Sequence, residues 1–177
     1  MRSLVWMSAA TVLLTLSACD SAPAPVADDD SATNIVAPAR PAFAADLNEA
    51  TTAIEGAGGP WKGGTVKDGI RDTTTGGTIR TITATGGLAQ VFALPDGKAW
   101  QVRLISRPKT GCSESAPLKA ALPNLVATLA PATPLSVADR NAIGDDLAST
   151  APKTHDLTAI RIIVSGGCSH SMTLTAL

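Results

Sequence analysis

The stretch LAQVFALPDGKAWQVRLISR, residues 88–107, decides the reading of the fold. At its centre Pro95 presets φ for a tight turn, Asp96 can bond the backbone beside it, and Gly97 can take the left-handed position. The turn predicts a β-hairpin. With Pro95, Asp96 and Gly97 as the loop, Phe92 falls opposite Trp100 and Leu88 opposite Leu104, so large apolar groups pair on one face. Gln101, Arg103 and Arg107 then point to the other.

Outward from the hairpin, residues 61–107 read as a four-strand meander, rich in threonine and β-branched residues and punctuated by Gly63-Gly64, Gly76-Gly77 and Gly86-Gly87. A first strand over 64–72 places Val66 and Ile70 on one face and Lys67 and Arg71 on the other. In a second, over 78–85, Ile79 and Ile82 cannot share a face, which predicts a bulge or burial on both sides. Before the sheet, Phe43, Leu47, Ala50 and Ile54 recur at helical spacing, and residues 56–60 (GAGGP) form a stop, so a helix over 42–56 should cover the sheet.

Beyond the meander, residues 115–129 carry a helical pattern of Leu118, Ala121, Leu122, Leu125, Val126 and Leu129, interrupted by Pro123. It predicts a short helix to 122 followed by another turn, or one kinked helix. Ser136-Val137-Ala138-Asp139 has the form of a capping box opening a helix to about 149, with Ile143 and Leu147 inward. Residues 157–165 and 169–176 predict a closing hairpin through Gly166-Gly167. Its register is open: a two-residue turn sets Met172 opposite Arg161, and a one-residue bulge aligns Ile162 with Met172 and Ile160 with Leu174. The fold class is therefore α+β: an antiparallel sheet of four-strand meander plus C-terminal hairpin, an N-terminal covering helix, a helical insert and one disulfide.

The N-terminus has a different character. Arg2, an apolar run from Leu4 to Leu16 and the small residues Ser17 and Ala18 make the three parts of a secretory signal. The run is shorter than the roughly 20 residues a membrane span needs. Leu16-Ser17-Ala18-Cys19 resembles the lipobox of bacterial lipoproteins. That resemblance implies cleavage before Cys19, a diacylglycerol on its thiol and an anchor of more than one acyl chain, with the domain in the periplasm. One chain holds a protein marginally at about 0.8 kcal/mol per buried methylene, whereas two or more hold it firmly. Asp20 resembles the retention signal that keeps enteric lipoproteins in the inner membrane, a lean to the inner membrane that leaves inner against outer open.

The domains read as a signal peptide over 1–18, a lipidated tether over 19–41 and a single α+β domain over 42–177. The tether is rich in Ala, Pro, Ser and Asp and includes Asp28-Asp29-Asp30. Some twenty residues of that kind span about 25 Å.

With Cys19 assigned to lipid, Cys112 and Cys168 remain as a pair in an oxidising compartment, which predicts a disulfide. A metal site drawing on Cys112, Cys168, His155 and His170, or a reactive thiol beside His170, lacks any C-x-x-C spacing. Ser169, His170, His155 and Asp156 supply the residue types of a nucleophilic triad, but no nucleophile elbow occurs, and neighbouring Ser169 and His170 face opposite sides of a strand. No phosphate loop, calcium loop or dinucleotide fingerprint is present. The reading names no catalytic residue, no metal and no cofactor.

After residue 18 the chain carries 13 Lys and Arg against 15 Asp and Glu, and it has few aromatic rings. Neither feature points to nucleic acid. Charge is concentrated locally: residues 61–109 hold eight Lys or Arg and three Asp. Lys67, Arg71, Arg103 and Arg107 make a candidate face for an anionic partner, weighed against a solvated face that guards sheet edges. Partners are then the membrane, through Cys19, and an envelope protein. The expected function is a binding or accessory subunit of the envelope. The alternatives are an inhibitor or exclusion lipoprotein acting on an incoming hydrolase, phage or conjugative partner, and a periplasmic hydrolase.

Overall fold

The computed structural model describes residues 39–107, 111–112 and 114–177; the leader, Cys19, Asp20, the tether as far as residue 38, and Lys109 lie outside them. The Pro95-Asp96-Gly97 turn forms for the reasons its residues supply. Leu94 donates to the Lys98 carbonyl at 2.8 Å, Gly97 donates to the Leu94 carbonyl at 2.9 Å, and the Asp96 carboxylate accepts from the Lys98 N–H at 3.0 Å. Gly97 sits at φ 86°.

From this turn the meander runs as β1 (Thr65–Arg71), β2 (Thr78–Ala84), β3 (Gly87–Ala93) and β4 (Ala99–Ser106). The C-terminal part adds β5 (Lys153–Asp156), β6 (Ile160–Ser165) and β7 (His170–Ala176). All seven make one antiparallel sheet in the order β1-β2-β3-β4-β7-β6-β5. The last strand thus lies between the meander and the preceding hairpin. Three helices, α1 (Leu47–Gly56), α2 (Ala116–Leu129) and α3 (Val137–Asp146), pack on one face of it. The described residues all belong to one compact unit, and none of its helices is long and apolar enough to cross a membrane.

The first helix begins at Leu47, not at 42. Asp46 accepts from the Asn48 and Glu49 N–H groups, and Glu49 returns a carboxylate to the Asp46 N–H, a full capping box that fixes the start. Residues 42–45 instead run non-helically beside β4, bending at Ala44 and Ala45: Phe43 donates to Ala99 at 2.7 Å and Ala99 donates to Ala45 at 3.0 Å. Phe43 is buried all the same.

The hairpin register differs from the expected one by a bulge. Trp100 and Gln101 both oppose Phe92, so Phe92 pairs with Gln101 and Leu88 with Ile105. Consequently Ala89, Val91, Ala93, Ala99, Val102 and Leu104 face the helices and are fully or almost fully buried, while Leu88, Phe92 and Ile105 face away and are half-buried. Small residues under α1 let the helix approach the sheet. Gly87 extends the same logic to Trp61, since a Cβ there would stand 2.7 Å from the indole Nε1.

A second bulge, at Asp68 and Gly69 (φ 105°), reverses the parity of β1. Val66 pairs with Ile82 on the covered face and Ile70 with Ile79 on the open one, so Val66 and Ile70 do not share a face. As expected of β2, Ile79 and Ile82 do not share a face: Ile82 is fully buried, and Ile79 is half-buried on the opposite, open side.

Pro123 lies inside α2, which continues through it as one helix. A proline in a helix interior costs about 3 kcal/mol. Leu118, Leu122, Leu125, Val126 and Leu129 are all buried on that helix, and each large apolar side chain contributes about 1.5–3 kcal/mol. Burial wins. At α3 the box is present as read: Ser136 accepts from the Asp139 N–H at 3.0 Å, and Asp139 accepts from the Ser136 N–H at 3.1 Å. The helix ends at Asp146, with Leu147 as its cap and Ile143 and Leu147 buried.

The closing hairpin takes neither expected register. Ser165 pairs with Ser171, with residues 166–170 between them, which aligns Val164 with Met172 and Ile162 with Leu174. Cys112 and Cys168 form a disulfide with a sequence separation of 56. It joins the connection after β4 to the loop before β7, at the end where Ser106 pairs with His170.

Candidate binding surface

Cross-strand pairing sorts every strand residue onto one of two faces. On the covered face one row reads Val66, Ile82, Ala89, Leu104, Met172 and Val164, the next Arg80, Val91, Val102, Leu174, Ile162 and His155. Among the described residues no helix lies on the open face. There one row reads Lys67, Thr81, Gln90, Arg103, Thr173, Ile163 and Thr154. On one flank of that polar row lie Ile70, Ile79 and Phe92, and on the other Leu88 and Ile105. Bulged Trp100 stands on the same side, its ring edge-on to Phe92 at 5.8 Å between centroids. Over it lies the Arg40 guanidinium, 4.2 Å from the ring centroid, a cation on an aromatic face.

The four cations singled out by sequence are therefore separated. Lys67 and Arg103 share the polar row of the open face and are exposed. Arg107 is exposed just past β4, its N–H donating to Gly86. Arg71 pairs with Thr78, Thr78 with Ala93, and so belongs to the other face. The Gly69 bulge moved it there.

Arg80 is the cation that sequence reading passed over. Its guanidinium donates to both carboxylate oxygens of Asp68, to Asn48 Oδ1 at 2.7 Å and to Thr51 Oγ1 at 3.3 Å. It is a strut between α1 and the β1 bulge. A signal for it existed: in a regular strand residues 80 and 82 share a face, and Ile82 is an obvious core residue.

Charge follows the two faces. The helices and their caps carry Asp46, Glu49, Glu55, Asp139, Asp145 and Asp146 against Lys119 and Arg140. On the open face stand Arg40, Lys67, Arg103 and Arg161 against Asp156 alone. That acid is occupied: Arg161 forks onto it with both contacts at 2.7 Å.

Four carboxylates are tied to fixed donors, which hold them below the ordinary carboxylate range. For Asp72, in the β1–β2 turn, the Thr75 hydroxyl at 2.7 Å dominates, helped by the Thr74 N–H at 2.9 Å. The Glu49 N–H does the same for Asp46, the Ser136 hydroxyl for Asp139, and Arg161 for Asp156, which in turn raises Arg161. These are structural caps and pairs.

The candidate catalytic types do not converge. Ser169 Oγ donates to the Ser106 carbonyl at 3.1 Å. His155 pairs with Asp146 at the end of α3, 3.1 Å from Nε2 to Oδ2, while Asp156 is on the open face with Arg161. His155 and His170 are two strands and four positions apart in the ladder, which places their backbones roughly 16 Å apart. Among the described residues no group of three or more His, Cys, Asp or Glu is arranged to hold a metal ion. A groove of about 540 Å³ beside α1 and α2 is lined by Asn48, Glu49, Thr52, Asn124 and Thr128, with no histidine or cysteine among its walls. The chain matches no protein-family model, no curated protein and no solved structure.

Proposed function

We propose that this protein is a lipid-anchored component of the bacterial cell envelope that acts by binding, as an accessory subunit, with the open face of its sheet as the recognition surface. One observation carries the reading: among the described residues a seven-stranded sheet buries one face under three helices and leaves the other uncovered, half-apolar and net positive. Such a face needs a partner more than it needs a reactive group. The lipobox-like Leu16-Ser17-Ala18-Cys19 supports the anchor, and residues 20–38 serve as the leash.

A photo-crosslinking residue placed at Thr81, on the open face, or at Thr52, exposed on α1, tests this in the full chain within native membranes. Crosslinks from Thr81 to a defined envelope component, lost when Cys19→Ser removes the anchor, are the expected result. Crosslinks from Thr52 alone would place recognition on the helices. Identical, soluble fractionation of the native and Cys19→Ser chains would reject the anchor.

A further inference from the structure

We propose that the partner of the open face is the anionic headgroup layer of a bilayer, so that the domain lies sheet-down on the membrane; the proposal rests on the anchored, binding-protein reading above. Three observations converge on it. The first is charge: Arg40, Lys67 and Arg103 are the cations of this face that lack a carboxylate partner among the described residues, and the one acid of the face is held by Arg161. Opposite, the helices carry six acids and two bases, which an anionic surface repels.

The second observation is the arrangement of apolar groups around the cations. Lys67 and Arg103 stand in a polar row between Ile70, Ile79 and Phe92 on one flank and Leu88 and Ile105 on the other. Long cationic side chains can reach phosphates while the flanking side chains meet the boundary between headgroups and acyl chains. Ile70 is 60% exposed at the edge of this surface, a position from which it can enter that boundary.

The third is where the chain leaves the domain. Arg40 lies on Trp100, and Trp100 stands on the open side. The described chain therefore begins at the open face, so an anchor on Cys19 would draw that face, not the acidic helices, toward the lipid. Tethering raises the effective concentration of membrane at the face to about the millimolar range, so a weak intrinsic affinity is enough.

The test uses residues 39–177, which belong to one compact unit with its own core, and vesicles of phosphatidylcholine with or without about a third phosphatidylglycerol. The expected result is partition onto the anionic vesicles only, weakened by salt. Each cation removed should weaken it about fivefold, so Lys67→Gln with Arg103→Gln together give about 25-fold. Lys119→Gln with Arg140→Gln, the same charge change on the helices, should leave partition intact. No partition by the native domain at millimolar anionic lipid, the concentration that tethering supplies, overturns the proposal, as does equal loss in both double variants. So does self-association of the native domain that Lys67→Gln with Arg103→Gln abolishes, which would assign the face to a second copy. If vesicle binding fails while Cys19 still anchors the full chain, only the lipid-facing surface is rejected. If the anchor fails and the domain still binds vesicles, the surface stands and the anchor does not.

Discussion

Leu104 and Ile105 are neighbours in one strand, yet they belong to two different environments. Leu104 is fully buried between β3, β7 and the helices; Ile105 is half-buried on a face that no described helix covers. The same split runs through the arginines. Arg80, on the covered side, bonds three residues from two elements, whereas Arg103, on the open side, is exposed. What separates a structural residue from an available one in this sheet is parity, and two bulges set it.

The largest effect should therefore come from the buried partner of each pair. Leu104→Ala should destabilise by about 2–5 kcal/mol, whereas Ile105→Thr should cost less than about 1 kcal/mol, both read by denaturant unfolding. Equal costs would mean that the open face is covered in solution. Arg80→Met should cost about 1–2 kcal/mol, discounted because its Asp68 partner is 59% exposed, and Arg103→Met close to nothing.

Adding a methyl to the helical layer should act in the other direction. Gly144 in α3 has an ordinary helical backbone, and a Cβ there would meet only the exposed Lys119 side chain at 3.3 Å, so Gly144→Ala should stabilise by about 0.5–1 kcal/mol without changing vesicle partition. Last comes a pH effect. Asp46, Asp72, Asp139 and Asp156 have folded pKa values below their unfolded ones. Their contribution is complete above the unfolded carboxylate pKa of about 3.9 and is lost as pH falls through the folded values. The unfolding midpoint should decline from about pH 5 downward, and less steeply in Asp72→Asn. An unchanged slope in that variant would remove the turn carboxylate from the account.

Local chemistry was readable in the sequence, and parity was not. The Pro95-Asp96-Gly97 turn, the Ser136–Asp139 box and the Cys112–Cys168 disulfide each depend on a few residue types at fixed offsets. The four-strand meander followed from its glycine punctuation. A bulge, by contrast, adds one residue to one strand, and nothing in Ala99-Trp100-Gln101 announces which residue is extra. That single displacement moved Leu88 and Phe92 from the expected core to the open face, and the bulge at Gly69 took Arg71 from the cationic row. β5, with the sequence Lys-Thr-His-Asp, has no apolar alternation because it is an exposed edge. The N-terminal boundary slipped because Phe43 fits a helical stripe as well as the non-helical segment it occupies. Asp46 with Glu49 was the capping signal that could have placed it.

The strand order has a consequence for how the protein can be made. β7 pairs with β4 on one side and β6 on the other, so it is the only bond between a four-stranded half and a two-stranded half of the sheet. It is also the last of the seven strands in chain order. Until residues 170–176 have emerged, the two halves have no shared edge on which to close. A chain of this design stays divided while it is being made, and it becomes whole only when its seventh strand is in place.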